Sequence, residues 1–364
     1  MRAIEARSAG LRVNELDQPI KGVSLWLDAW RRLKKNRMAV IGLMVVILYT
    51  ILSLLAPILP IHSYRKQVLD HQFLPPSLTR TAGELLYEKK QTFMHALAAR
   101  EGRSELTAAQ IDELRELRQR IDTETFEDEK GRTVLVHQRR YPFGTDGLGR
   151  DLLARVIYGG QVSIAIGLIG TITSVLIGVI LGSIAGFAGG STDYIITRFV
   201  DVMYSLPYML LVIIFMAIFG RSIFNVFFAL AIVSWLTVCR VVRGQIISLK
   251  NAEFVEAARA CGAGPLRIIA RHLVPNTLGV IVVFATLRIP TFIMLEAFLS
   301  FLGLGVQAPF ASWGSLIQDG VYAMTTYSWL LWFPAGAMVL FLFSMNFLGD
   351  GLRDALDPQS KNKL

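Results

Sequence analysis

Six stretches of this chain run for about 20 or more residues with almost no charge, and this recurrence constrains the fold more than any other feature. A helix needs roughly that length to cross a hydrocarbon core of about 30 Å. The first stretch, Met38 to Ile61, has no charged residue and ends in Pro57 and Pro60. The others run about Val156 to Ala188, Tyr194 to Phe219, Ile223 to Val242, Thr277 to Phe301 and Trp329 to Leu348. In lipid the backbone must satisfy its own polar groups, so runs of this length read as helices. With 53% hydrophobic and 18% charged residues, the 364-residue chain is expected to be an all-α integral membrane protein with six transmembrane helices. The first run is too long, and its charged lead too extended, for a cleaved signal peptide.

The net charge of +9 fits either nucleic-acid binding or membrane topology, and its distribution decides between them. With the N-terminus inside, the cytoplasmic segments carry 18 Lys and Arg: 9 in residues 1–37, Arg198, 5 in residues 243–275 and 3 after residue 348. The short outer loops carry only Arg221, and residues 62–155 hold 16 basic against 15 acidic residues, as an aqueous segment would. The excess is topological, both termini are expected in the cytoplasm, and no nucleic-acid partner is expected. Cys239 and Cys261 then fall on or beside cytoplasmic segments and read as free thiols.

Before the first span, Val23, Leu27, Trp30 and Leu33 recur at helical spacing opposite Arg31, Arg32, Lys34, Lys35 and Arg37, with Ser24 as N-cap, which predicts an interfacial helix against membrane lipids. In the outer segment, Thr107 and Gln110 have capping-box spacing ahead of Ile111, Leu114, Leu117 and Ile121, and Leu86, Phe93, Met94 and Leu97 form a second helical pattern. A helical hairpin turning at Arg100 to Ser104 follows, either a recognition element or a spacer. Four of the five histidines lie in this segment (His62, His71, His95 and His137), without the spacing of a metal site.

Gly170, Ser174, Gly178, Gly182, Gly186 and Gly190 recur every four residues, so small side chains line one face of the second span. Close helix approach holds spans together in lipid, which places this helix in the bundle interior or at a subunit seam. Between spans four and five, Glu253 to Gly262, Ala263-Gly264-Pro265 and Leu266 to Leu273, followed by Val274-Pro275-Asn276, read as two short capped helices around a turn. Ala257 and Ala258 leave a bare surface there for a docking partner.

Glu256-Ala257-Ala258, Gly262, Pro265, His272, Val274 and Pro275 resemble the EAA coupling motif in permease subunits of bacterial ABC importers. Arg271-His272 before Pro275-Asn276 resembles the peptide-importing branch. Phe143-Gly144-Thr145-Asp146 with Gly149-Arg150-Asp151, Ser300 to Gly305 with Ser312-Trp313-Gly314, and Asn346 to Pro358 are similar to the C-type permease of dipeptide and oligopeptide importers. The likeness covers residues 24–61 and 141–358. It implies a type I importer permease (MetI-like) core at 141–358 with its coupling segment at 251–275. It also implies a cytoplasmic segment 1–37, a first span 38–61, an extracytoplasmic insertion 62–140 that is longer than most relatives carry, and a cytoplasmic tail 359–364. Implied partners are a second, homologous permease in a heterodimer, one or two ATP-binding subunits carrying ATP and Mg, and a periplasmic or lipid-anchored peptide-binding protein. The implied location is the bacterial inner membrane. No cofactor, metal or catalytic residue is expected in this chain.

Arg288 lies 12 residues past Asn276, roughly 18 Å into the membrane, and Glu296 follows eight residues later. Both are expected to face inward on a similar side, either lining the path to meet a zwitterionic peptide or pairing with another span or the partner permease. Arg198 and Asp201 are expected to pair locally before a kink at Pro207. The chain contains no G-x-x-x-x-G-K-S/T phosphate cradle, so ATP would be hydrolysed elsewhere. A secondary transporter would show inverted repeats or intramembrane acid clusters, an intramembrane enzyme paired catalytic groups, and an anchored interaction protein would act through its hairpin. Sister importers for nickel complexes, glycosides or antibiotic peptides share the same motifs.

Overall fold

The computed structural model describes residues 25–59, 61–127 and 133–356; Val23, Ser24, Pro60, Asp357, Pro358 and the tail 359–364 lie outside the described residues. Helix α1 (Leu25–Lys35) passes into α2 (Arg37–Leu55) through Asn36, whose side chain accepts from the Ala39 N–H. The α1 stripe divides: Leu33 is buried toward the end of the chain's last helix, whereas Leu27 and Trp30 stay 48% and 45% exposed, as a lipid-facing edge would. The first span ends at Leu55, short of the expected Ile61, because Pro57 offers no N–H to continue the ladder.

The insertion folds as α3 (Ala82–Arg100) and α4 (Ala108–Thr123). Both begin in complete capping boxes, Thr81 with Glu84 and Thr107 with Gln110, and Lys90 Nζ meets Glu113 Oε1 at 2.7 Å across the hairpin. A two-stranded antiparallel ribbon, β1 (Thr125–Glu127) and β2 (Thr133–Leu135), returns the chain toward the spans.

Asp151 caps α5 (Leu152–Ala188) by accepting from the Leu153 and Ala154 N–H groups. Its 37 residues extend roughly 55 Å, more than a membrane core, so its first turns reach toward the insertion. Helices α6 (Gly190–Ser205) and α7 (Tyr208–Phe219) meet at 83° and together cover the stretch expected as the third span. The bend follows from Pro207, which holds Leu206 in extended backbone at φ −85°, ψ 138°. Then come α8 (Ile223–Leu249), α9 (Glu253–Ala260), α10 (Pro265–Phe301), α11 (Trp313–Ala323) and α12 (Trp329–Leu356). Among the described residues five helices are long and apolar enough to cross a membrane, and the spans number six when the bent pair counts as one.

The small-residue stripe seats α5 in the bundle interior. A Cβ added at Gly178 would lie 2.6 Å from Val238 Cβ, at Gly182 2.6 Å from Cys239 O and at Gly186 2.8 Å from Arg243 O, all on α8. Ser174 Oγ donates to Ser234 O at 2.8 Å, and Gly170 faces the Phe292 ring of α10. Gly190 leaves the stripe, because α5 ends at Ala188 and Gly189 turns the chain at φ +67°. Arg198 and Asp201 do not pair: Asp201 accepts from Arg240 on α8 at 2.6 Å, and Arg198 lies over the Tyr194 ring.

Candidate functional site

The segment after α8 is held to the bundle on one side and bare on the other. Val255, Ile268 and Leu273 are buried against Val238, Val242 and Ile246 of α8. Phe254, Glu256, Ala257, Cys261, Gly262, Pro265 and Leu266 are exposed, Leu266 by 80%, while Ala258 is half-buried. Helix α9 ends in a Schellman turn: the Ala263 N–H donates to Ala258 O at 3.0 Å, the Gly262 N–H to Arg259 O at 2.9 Å, and Gly262 sits at φ +78°. Open space surrounds the Gly262 Cα, so what requires glycine there within this chain is the left-handed backbone.

The second expected helix is not separate. Pro265 starts α10, which continues without interruption into the fifth span, through a π-turn at Ile269–Leu273 whose Val274 N–H reaches back to Ile269 O. Pro275 supplies no N–H, and the wider turn absorbs the missing bond. One rod therefore runs from the bare turn to Phe301.

On that rod Arg288 borders a cavity of about 280 Å³ between the α6–α7 bend and α8. Its Nη2 donates to Ser234 O at 3.0 Å. Tyr204 and Thr237 hydroxyls lie 2.6 Å apart at the same cavity, and Tyr208 OH lies 3.5 Å from Ser234 Oγ. Glu296 does not share this space. It is fully buried, and its Oε1 accepts from Ser300 Oγ at 2.6 Å and Ser312 Oγ at 2.7 Å, tying α10 to the N-cap of α11. Eight residues turn a helix by about 80° beyond two full turns, which carries Glu296 off the Arg288 face. Tyr204, Tyr208, Ser234 and Thr237 were not among the expected path residues; Tyr204 and Tyr208 flank Pro207 in the sequence, but Ser234 and Thr237 join them only through the packing of α8.

The motif stretch at 143–151 serves as a joint. Asp146 Oδ2 accepts from Arg150 Nε at 2.7 Å and Arg155 Nη1 at 2.6 Å, and Thr145 Oγ1 accepts from the Leu74 N–H at 2.8 Å. In the insertion, Asp70, Glu124 and His137 place possible metal ligands within 4.8 Å of one another, a grouping that linear spacing did not reveal. Arg120 already bridges the two carboxylates, at 2.7 Å and 3.1 Å, so a guanidinium occupies the place a cation would take.

Residues 178–362 match the family described as binding-protein-dependent transport system inner membrane component, and residues 24–76 match the N-terminal transmembrane domain of oligopeptide transport permease C. The chain is 50% identical to the oligopeptide transport system permease protein OppC of Haemophilus influenzae over 60% of this chain and 70% of that one. It is 37% identical to OppC of Bacillus subtilis over 93% and 91%, and 37% identical to the dipeptide transport system permease protein DppC of the same organism over 91% and 85%.

Proposed function

The chain belongs to the family of binding-protein-dependent transport system inner membrane components, and on that premise we propose that it is one of two permease subunits of an ATP-driven importer of oligopeptides or dipeptides. The observation that carries the proposal is the bare, glycine-terminated turn from Glu256 to Leu266 standing on a rod that leads to Arg288. Small exposed side chains backed by a buried anchor suit docking to another subunit, and a continuous helix moves as a unit when pushed at its end. In this reading both termini and the α9 turn face the cytoplasm, and the insertion faces outward toward a peptide-binding protein. A homologous permease completes the pathway, and one or two ATP-binding subunits hold ATP and Mg. Glu256, Ala257, Ala258, Gly262, Pro265 and Pro275 couple; none of them catalyses. Closure of the ATPases at the turn tilts α10 and switches the access of the cavity beside Arg288.

The test is co-purification of the tagged chain with its native partners, with uptake and ATPase measured in parallel. Ala257→Asp and Gly262→Asp are expected to insert normally, to lose most of the bound ATPase, and to lower uptake by tenfold or more, because each places a charge on the docking face and the second also strains a left-handed position. Normal uptake in both variants would refute the docking role. A wild-type chain that purifies without any ATPase would return a nucleotide-independent transporter to contention.

A further inference from the structure

Three other arginines on the span helices reach a carboxylate. Arg155 reaches Asp146 at 2.6 Å, Arg240 reaches Asp201 at 2.6 Å and Arg243 reaches Asp193 at 2.5 Å. Arg288 has a backbone carbonyl, Ser234 O, and no carboxylate of the described residues pairs with it. A half-buried guanidinium at membrane depth without a counter-charge is costly, and its five N–H donors exceed what one carbonyl takes. The cavity it borders supplies further polar groups on the facing helices: the hydroxyls of Tyr204, Tyr208 and Thr237, with Thr291 one turn along α10. These are the components of a site for a small anion: a planar fork for two oxygens and neutral hydroxyls around it.

The size and charge of the cavity narrow the ligand. A volume of about 280 Å³ is at the lower edge of the roughly 300–1,000 Å³ of small-molecule sites, enough for one end of a peptide. A single guanidinium with no second cation in the lining matches a monoanion better than a phosphate. We propose that Arg288, assisted by Tyr204 and Thr237, receives the C-terminal carboxylate of a peptide in transit. The inference rests on the peptide-import reading. It makes the permease itself a reader of the free peptide terminus, in addition to whatever the binding protein selects.

The test uses the full complex with its binding protein in proteoliposomes, fed trialanine or trialanine amide, neither of which has an acidic side chain. Wild type is expected to import the free acid faster than the amide. Arg288→Gln is expected to slow the acid about tenfold, the scale of a charge-assisted hydrogen bond, and the amide less than about twofold, so that the acid-to-amide ratio collapses. Arg288→Lys should keep much of the ratio. Tyr204→Phe, which removes only a hydroxyl, should lower it about two- to threefold and serves as the deciding variant if Arg288→Gln fails to assemble. The binding protein is the same throughout, so any preference it imposes cancels between variants. An unchanged ratio, including an equal slowing of acid and amide, would overturn the carboxylate assignment and assign Arg288 to structure or to an acid of the partner permease. If wild type imports neither peptide, the peptide-import reading itself fails, and this inference fails with it.

Discussion

Individual side chains within the spans carry different burdens, and Glu296 shows how far position alone is a guide. Its depth in the fifth span marks it as an inward-facing polar group, as the structure has it, but its partners are two hydroxyls, one of them on α11, 16 residues away. Since Oε1 accepts from both Ser300 and Ser312, an amide oxygen in the same place preserves both bonds. Glu296→Gln is therefore expected to melt in detergent within about 1 kcal/mol of wild type, whereas Glu296→Ala leaves two buried O–H donors without their acceptor beside a void and should cost about 3 kcal/mol. Equal stability of the two variants would show that the bonds contribute nothing. Arg288 was legible as an inward cation, because a charge at that depth has few other options. Arg198 and Asp201 were misread, since a three-residue spacing permits a pair but does not compel one; Arg240, across on α8, offers Asp201 the better geometry at 2.6 Å.

Helices are the scale at which the sequence was most readable. Charge-poor length gave the spans, and the four-residue recurrence of small side chains picked out α5 as an interior helix. The recurrence did not name the neighbour or show where the stripe stops, because both depend on how α8 and Gly189 are placed. The contact distances give a contrast that a general preference for glycine in membrane helices does not. A methyl group at Gly182 would meet the backbone oxygen of Cys239 at 2.6 Å, and backbone cannot rotate aside, while a methyl group at Gly244, on the far side of α8, would meet nothing within 4 Å. Gly182→Ala is expected to force α5 and α8 apart at a cost of about 1–3 kcal/mol, and Gly244→Ala to be neutral or slightly stabilising, as read by melting of the purified chain. If both behave alike, the seam is looser than the structure indicates. The same dependence on context made α10 longer than its motif suggested. Pro275 reads as a helix stop in isolation, but a π-turn carries the helix through it.

Across the whole molecule, the segment between the first two spans is closed on itself by a polar column, buried at His71, His137 and Tyr141, that linear spacing could not reveal. Tyr141 OH lies 3.0 Å from His71 Nδ1, His71 Nε2 lies 2.9 Å from His137 Nδ1, and His137 Nε2 lies 3.1 Å from Glu124 Oε2. His71 and His137 are 66 residues apart in the chain, so only the closed fold brings them together; the Thr107–Gln110 capping box that announced the second hairpin helix is local by contrast. Burial pushes His71 down to about 3, with the charges of His137 and Arg139 adding to the effect, and burial pushes His62 down to about 4. Between those values and the ordinary 6.5, the unfolded insertion binds more protons than the folded one, so stability is complete above about pH 6.5 and declines as pH falls below it. Asp151, raised to about 6 by burial, opposes this: its folded form holds a proton that the unfolded form releases, which adds stability below pH 6. Two histidines outweigh one aspartate, and their loss begins at the higher pH. After correction for intrinsic exchange rates, amides of residues 70–74 and 137–141 should lose hydrogen-exchange protection between pH 7 and pH 5, while those of α5 and α8 do not. Protection that stays constant over that interval would mean that the column accepts protons without opening, and that the segment is held closed by the Thr145 and Asp146 contacts instead.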